Sequence, residues 1–169
     1  MFIRTAIDRS VAILLHPHLF FSRDDDFMDF GDGSIYTAMM GFLAALVAVT
    51  MGSANSLFNS SGLVPILIFS PLIAILGTFI MGGIIHALCR SLGSRNDYGD
   101  SFHIAASASV LMPISQLLDA FSLSILSLAW AWWIVSRGAI CVHHLEPRQA
   151  AVVFALLYAS FFILSAVSN

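Results

Sequence analysis

Charge is what this sequence has least of. Only 10% of its 169 residues are charged, against about 25% in soluble domains, and 59% are hydrophobic. Lysine is absent, so all seven basic residues are arginines. A net charge of −3 excludes a nucleic-acid-binding protein, because the phosphate backbone demands a basic surface. The apolar excess is more than a soluble core needs and predicts an integral membrane protein.

The patterns that accompany catalysis are absent as well. The sequence contains no CxxC or HExxH metal motif, no phosphate-binding loop and no recognisable pair of nucleophile and base. Two cysteines, Cys89 and Cys141, do not suggest a disulfide framework. We therefore expect a protein that is not an enzyme, and the sequence identifies no cofactor.

Long uncharged runs indicate where the chain crosses the membrane. No Asp, Glu, Lys or Arg occurs from Gly33 to Cys89, which is room for two spans of about 20 residues. The polar break at 52–62 divides this run into span 1 (34–52) and span 2 (63–90). Both contain small residues that let neighbouring helices approach closely. In span 1 these lie on one face at Ala38, Gly41, Ala45 and Ala48, and in span 2 a tight crossing is expected at Gly77, Gly82 and Gly83.

A second apolar stretch, residues 100–137, is too long for one crossing. As a single helix it would measure roughly 55 Å, against about 30 Å for the hydrocarbon core. We predict a helical hairpin with its turn at 117–120, so that span 3 is 101–118 and span 4 is 120–137. The Ser/Ala-rich first arm is expected to be a thin central helix. A fifth span is predicted at 148–168.

The predicted fold is therefore all-α, a polytopic membrane bundle of five transmembrane helices. Residues 1–33 form a cytoplasmic or interfacial N-terminal segment and residues 34–169 the transmembrane domain. Within the first segment, residues 2–15 have helical periodicity and are ended by Pro17. An amphipathic helix in the membrane interface and a helix packed on its own bundle both fit this pattern.

The arginines predict the orientation. With five spans, one side carries the loops 1–33, 90–100 and 138–147, and all seven arginines lie in or beside them. The other side carries none, so the positive-inside rule places the N-terminus in the cytoplasm and the C-terminus outside. The three tryptophans of span 4 then lie near the cytoplasmic boundary, as an aromatic belt would: Trp130, Trp132 and Trp133.

The order and spacing of several motifs resemble the Yip1 domain family of five-span membrane proteins over most of residues 10–168. These motifs are the entry at His16-Pro17-His18-Leu19-Phe20-Phe21, the loop from Leu92 to Phe102, Met112-Pro113 inside span 3, Gly138 after the Trp-rich span, His143-His144-Leu145, and Gln149-Ala150 opening span 5. Eukaryotic members resemble adaptors that contact Rab GTPases through a long N-terminus with an Asp-Leu-x-Gly-Pro type motif. The sequence contains neither, so the resemblance implies the short bacterial form without a GTPase partner.

Two sets of polar residues are candidates for chemistry. Imidazole and thiolate are zinc or copper ligands. A metal site on the cytoplasmic half would use His86, Cys89, His103, Cys141 and His143. An ion path through the bundle would use Gln116, Asp119, His86 and His103. Each set has a structural alternative. The histidines would be polar anchors at the membrane interface, and Asp119 would cap span 4.

Two functional hypotheses follow. The first is a non-enzymatic protein of the bacterial inner membrane that acts by helix–helix association, as a homo-oligomer or as an accessory subunit of a larger membrane assembly. The second is a channel or transporter for a small ion. Membrane lipids and other membrane-protein subunits are the expected partners.

Overall fold

The computed structural model describes residues 2–23, 27–51 and 63–167, and these form eight helices with no strand. The predicted break at 52–62 and the acidic residues at 24–26 lie outside the described residues. The helices are α1 (Phe2–Leu15), α2 (Pro17–Phe21), α3 (Phe30–Thr50), α4 (Leu63–Ser91), α5 (Tyr98–Ala108), α6 (Leu111–Ala120), α7 (Ser124–Val142) and α8 (Pro147–Val167).

The N-terminal helix ends where Pro17 predicts, and Pro17 then begins the short helix α2. One side of α1 packs on the bundle, where Ala6 and Ile13 are buried and Ser10 Oγ hydrogen-bonds Tyr36 OH at 2.8 Å. The opposite side exposes an apolar stripe at helical spacing: Ile7, Val11 and Leu15. One side of α1 therefore packs on the bundle, as one of the two alternatives predicted. The apolar stripe on the other side fits a helix in the membrane interface, and that location stays a prediction.

Helix α5 is the centre of the bundle, as the Ser/Ala-rich composition predicts. Every residue from 101 to 107 is buried. Three helices approach it through glycines, and a Cβ at Gly33 of α3 would lie 2.6 Å from Phe102 Cε1. A Cβ at Gly82 of α4 would lie 3.2 Å from Phe102 Cα, and one at Gly138 of α7 would lie 2.9 Å from Ile104 Cγ2. A side chain at Gly33 or Gly138 would require the side chain of Phe102 or Ile104 to move, and one at Gly82 would press on the backbone of the central helix.

The predicted tight crossing in span 2 is therefore correct at Gly82 only. A Cβ added at Gly77 or at Gly83 would meet nothing within 4 Å. Span 1 does approach span 2 closely, because a Cβ at Gly41 would lie 2.5 Å from Ala74 Cβ. The helix pair α3–α4 is thus in close contact at Gly41, while Gly77 is left facing open space.

The third span is interrupted, which the prediction of one helix at 101–118 missed. It runs from Tyr98 to Ala120 but breaks between α5 and α6. There the backbone hydrogen bonds join residues three apart instead of four, from Ser109 N to Ala106 O (3.2 Å) and from Val110 N to Ser107 O (3.3 Å). Pro113 has no N–H with which to continue the ladder at the start of α6. Pro113 thus lies inside the span, where the family motif Met112-Pro113 placed it, and close to the interruption.

The hairpin turn lies at 121–123 rather than at 117–120. Helix α6 ends in a Schellman motif, in which Leu123 N bonds Leu118 O (2.8 Å) and Ser122 N bonds Asp119 O (3.0 Å). Ser122 occupies the left-handed position of this motif with φ 59°. Because the turn comes later, the N-cap of α7 is Leu123, and the expectation that Asp119 caps this helix is wrong.

Four helices are long and apolar enough to cross a membrane among the residues that were described: Phe30–Thr50, Pro65–Ser91, Tyr98–Ala120 and Ser124–Val142. They correspond to the first four predicted spans. Helix α8 has 21 residues, a length that suits a bilayer, but it is not among the four. It packs against α7, where Trp132 Nε1 donates to Ala151 O at 3.1 Å. Five spans are thus not confirmed.

Candidate functional site

A histidine cluster joins the loops at one end of the bundle. We define it as His86, Ser94, Ser101 and His143. His143 directly follows the last residue of α7, and Ser94 lies in the loop between α4 and α5. Ser101 is in the first turn of α5, and His86 lies near the end of α4. The loops at this end therefore converge.

His143 is the centre of the cluster because both of its ring nitrogens are hydrogen-bonded. Its Nδ1 lies 2.8 Å from Ser94 Oγ, and its Nε2 lies 2.9 Å from Ser101 Oγ. A neutral imidazole carries one donor and one acceptor, so one hydroxyl donates to the ring and the other accepts from it. Ser101 Oγ also lies 3.5 Å from His86 Nδ1, the longest contact of the cluster. The chain of polar atoms therefore connects α4, α5 and the end of α7.

The loop that carries Ser94 is held by further hydrogen bonds. Ser94 N donates to Cys89 O at 3.0 Å, past the end of α4. Asn96 Nδ2 donates to Val142 O at 2.7 Å, and Asn96 N donates to Ser94 Oγ at 3.3 Å. Asn96 thus satisfies a carbonyl at the end of α7, which has no partner within its own helix. The hydrogen bonds of the histidine cluster therefore hold the two loops together.

Burial disfavours the charged form of His143, whose side chain is only 4% exposed. Burial lowers the pKa of His143 below its ordinary value, and His86 and His144 act in the same direction. Asp100 opposes them by raising the pKa. The net direction is downward, so burial favours the neutral ring of His143 near neutral pH.

His103 belongs to a separate aromatic cluster. Its Nδ1 accepts a hydrogen bond from Met28 N at 3.0 Å, so the ring is anchored to the segment before α3. Its ring stacks on Phe27 at 4.8 Å and on Phe20 at 5.7 Å between centroids, and Phe21 meets it edge-on. Such contacts hold the N-terminal segment against the central helix.

The five candidate metal ligands are not brought together. Cys89 is a buried free cysteine. Cys141 is also a free cysteine, and its Sγ lies 4.0 Å from both His18 O and Ser22 Oγ. No group of three or more His, Cys, Asp or Glu that could hold a metal ion occurs within the described ranges. The metal-site hypothesis stays a prediction for which this geometry supplies no ligand set.

The four candidate residues of the ion path lie at two ends of the bundle. His86 and His103 lie on α4 and α5 beside the loops, whereas Gln116 and Asp119 lie on α6 towards the opposite turn. Gln116 is half-buried and Asp119 is exposed. Between them, Ser107, Ser109 and Ser115 each donate to a carbonyl of their own helix. An ion path stays a prediction.

A groove between α3, α4 and α6 is a feature that sequence reasoning missed. We call it the small-residue groove, and its volume is about 490 Å³. Gly41, Ala44, Ala45, Ala48, Ala74 and Gly77 line it together with Ile66, Phe69, Ser70, Ile73, Met112, Ser115 and Gln116. The buried hydroxyl of Ser70 has no hydrogen-bond partner in the described part of the chain. The small residues of span 1 predicted a close helix contact on this face. They did not predict the open space at Gly77, because that depends on where α6 lies.

Helices of this length and hydropathy, with an apolar outer surface, define a polytopic α-helical membrane protein. The family model of the Yip1 domain matches residues 11–168, and the chain belongs to the Yip1 domain family. The family resemblance seen in the sequence is thereby confirmed. No curated protein and no solved structure shows a significant match to the chain.

Proposed function

We propose that this chain is a non-enzymatic protein of the bacterial inner membrane that acts through helix–helix association, as a homo-oligomer or as an accessory subunit of a larger assembly. The observation that carries the proposal is the small-residue groove. Transmembrane helices associate where small residues permit close backbone approach, because lipid tails remove the hydrophobic driving force. The groove offers such a surface on α3 and α4.

Two details of the groove support an occupant of protein nature. Within the described residues, the buried Ser70 hydroxyl has no hydrogen-bond partner, and in hydrocarbon such a group gains from a hydrogen bond across a helix interface. At Gly77, the space beyond the backbone is open to at least 4 Å, so a side chain from a neighbouring helix can approach. We take that helix to belong to a second copy or to a partner subunit.

The proposed protein has five spans, with the N-terminus in the cytoplasm and the C-terminus outside. Helix α8 supplies the fifth span, since its 21 residues match the thickness of a bilayer. The arginines support the orientation, because Arg90, Arg95, Arg137 and Arg148 lie at the helix ends and loops beside the histidine cluster. A reporter enzyme fused to the C-terminus should be active only on the outer side, and cytoplasmic activity would contradict the fifth span.

Gly77→Leu tests the role of the groove. Its Cβ would meet no described atom within 4 Å, so the leucine side chain can extend into the groove. Gly83→Leu is the matched control, since it adds the same side chain to the same helix at a position that is equally open but outside the groove. Energy transfer between labelled copies in proteoliposomes should fall for Gly77→Leu and not for Gly83→Leu.

Equal energy transfer in both variants would place the interface elsewhere. Absence of transfer in the parent protein would contradict homo-association, and the accessory-subunit form would then require a co-purifying membrane protein. A strict monomer without such a partner would contradict the whole proposal.

The alternative function, a small-ion channel or transporter, has one observation in its favour. A cavity of about 350 Å³ adjoins the interruption between α5 and α6 and is lined by hydroxyl groups among its apolar residues. These are Thr78, Ser109, Ser115, Ser127 and Tyr158. Flux in proteoliposomes that Asp119→Asn or His86→Ala reduces would support transport. Unchanged flux in both variants, or no flux in the parent, would contradict it.

A further inference from the structure

A second groove lies at the arginine-bearing end of the bundle, between the end of α4 and the beginning of α8. Its volume is about 580 Å³, within the range of about 300–1,000 Å³ found for ligand pockets. Ser91, Leu92, Arg148, Gln149, Val152 and Val153 line it. We call it the Arg148 groove. It shares no residue with the small-residue groove or with the histidine cluster.

The lining of the Arg148 groove divides into a polar and an apolar part. Arg148 and Gln149 provide a guanidinium and an amide that can donate hydrogen bonds, whereas the Ser91 hydroxyl already donates to Leu88 O at 2.7 Å. Leu92, Val152 and Val153 provide only hydrocarbon. The apolar part continues along α8, where Val152 is 59% exposed and Leu156 is 66% exposed. A ligand that fits both parts has an acceptor-rich head and an apolar tail.

The charges around the groove favour an anionic head. The Arg148 side chain is exposed, and within the described ranges no acidic side chain forms an ion pair with it. Arg90 lies one residue before Ser91 and is also exposed. Arg148 is the charged residue of the lining, and no acidic residue lines the groove among the described residues. Arg148 also lies in the first turn of α8, where backbone N–H groups lack partners within the helix and the helix dipole is positive.

We propose that the Arg148 groove binds an anionic phospholipid, with the phosphate at Arg148 and Gln149 and an acyl chain along Leu92, Val152 and Val153. Basic pockets between transmembrane helices are known to bind acidic lipid headgroups. The membrane supplies the ligand, because the apolar half of the groove faces outward on a helix of a membrane protein. The site is independent of the proposed association, since it lies on other residues.

Native mass spectrometry of the full chain, released from nanodiscs that contain phosphatidylglycerol and phosphatidylcholine in equal amounts, tests the proposal. The parent protein should retain phosphatidylglycerol in preference to phosphatidylcholine. Arg148→Gln should reduce this retention by about fivefold, the factor expected for one arginine near a lipid surface. Arg137→Gln is the matched control, because Arg137 is also an exposed arginine at the end of a helix but does not line the groove. It should retain the lipid as the parent does.

Equal retention of the two lipids by the parent, or equal retention by Arg148→Gln and Arg137→Gln, would overturn the proposal. Val152→Ser provides a second variant, which keeps the charge and removes part of the acyl contact. It should weaken retention of the long-chain lipid. If inorganic phosphate alone, added to delipidated protein, raises the melting temperature as much as the lipid does, the groove is a phosphate site and the lipid assignment is wrong.

Discussion

His143→Asn should loosen the loops at one end of the bundle. The histidine is almost fully buried and spans two hydroxyls, at 2.8 Å from Ser94 and 2.9 Å from Ser101. Asparagine is shorter and cannot reach both groups from the same backbone position. At least one buried hydroxyl therefore loses its shortest hydrogen bond. Ser94 would then keep only the 3.3 Å bond from Asn96 N, or Ser101 only its 3.5 Å contact to His86.

The expected cost is about 1–3 kcal/mol, the penalty for one buried polar group that loses its partner. For a chain of this length, each kcal/mol lowers the melting temperature by about 2–4 °C in a two-state transition. His144→Asn is the matched control, because His144 is the next residue and is exposed. Its backbone has φ 53°, a conformation that asparagine also adopts readily. This control should change stability by no more than about 0.5 kcal/mol.

The same variant predicts a change in acid sensitivity. Burial holds the pKa of folded His143 below the value of about 6.5 for the unfolded chain. Well above about pH 6.5, His143 is neutral in the folded and in the unfolded state, and the histidine cluster makes its full contribution to stability. As the pH falls below that value, the unfolded state takes up a proton that the folded state does not, so stability decreases. His143→Asn should therefore lose less stability than the parent between about pH 7.5 and 5.5.

Thermal unfolding of parent, His143→Asn and His144→Asn in the same detergent, followed by circular dichroism at several pH values, provides the measurement. The stabilising role of the histidine cluster is refuted if His143→Asn is as stable as His144→Asn, or if the stabilities of the parent and His143→Asn have the same pH dependence.

Two further predictions concern packing. Gly82→Ala should destabilise the protein, because its Cβ would lie 3.2 Å from the backbone of Phe102. The Cβ of Gly83→Ala would contact no described atom within 4 Å, so this variant should be neutral or stabilising by up to about 1 kcal/mol. Unfolding curves that rank the two variants the other way would contradict the close approach of α4 to α5. Tyr36→Phe removes the 2.8 Å bond to Ser10, so hydrogen exchange in α1 should become faster while exchange in α3 stays the same, and unchanged exchange in α1 would show that this bond does not hold the helix.

The helical architecture was predictable because hydrophobic runs and helix breakers are local signals. The end of α1 before Pro17 and the start of α8 at Pro147 follow from the fixed φ angle and missing N–H of proline. The central helix was expected from its Ser/Ala-rich composition, but the close approaches to it are made by glycines on the three neighbouring helices, at Phe102 and Ile104. Element boundaries within the long hairpin were less accurate.

The errors in the hairpin have a physical explanation. The turn was expected at 117–120, but α6 continues through these residues and ends at Ala120. The turn is instead built on Ser122 in a left-handed conformation, for which the sequence offers no glycine or asparagine as a signal. The break at Ser109 depends on which carbonyls the serines bond, and that is a property of the packed structure.

The candidate sites were predicted in part. His86 and His143 come close because two loops converge, which the five-span topology implies, but their serine partners were not predicted as partners. His103 was grouped with them by its place along the chain, yet its ring faces Phe20, Phe21 and Phe27. Both grooves depend on the spacing between helices, and no periodicity in the sequence reports that spacing.

The most direct test of the account is the mass of the complex that this chain forms in its own membrane. Affinity-purified protein, extracted in native-membrane nanodiscs and released into a mass spectrometer, should appear as two or more copies of the 18.3 kDa chain or as one copy bound to another membrane subunit. Gly77→Leu should shift the distribution towards the free chain. A single 18.3 kDa species that carries only lipid, for both the parent and the variant, would contradict association as the basis of its function.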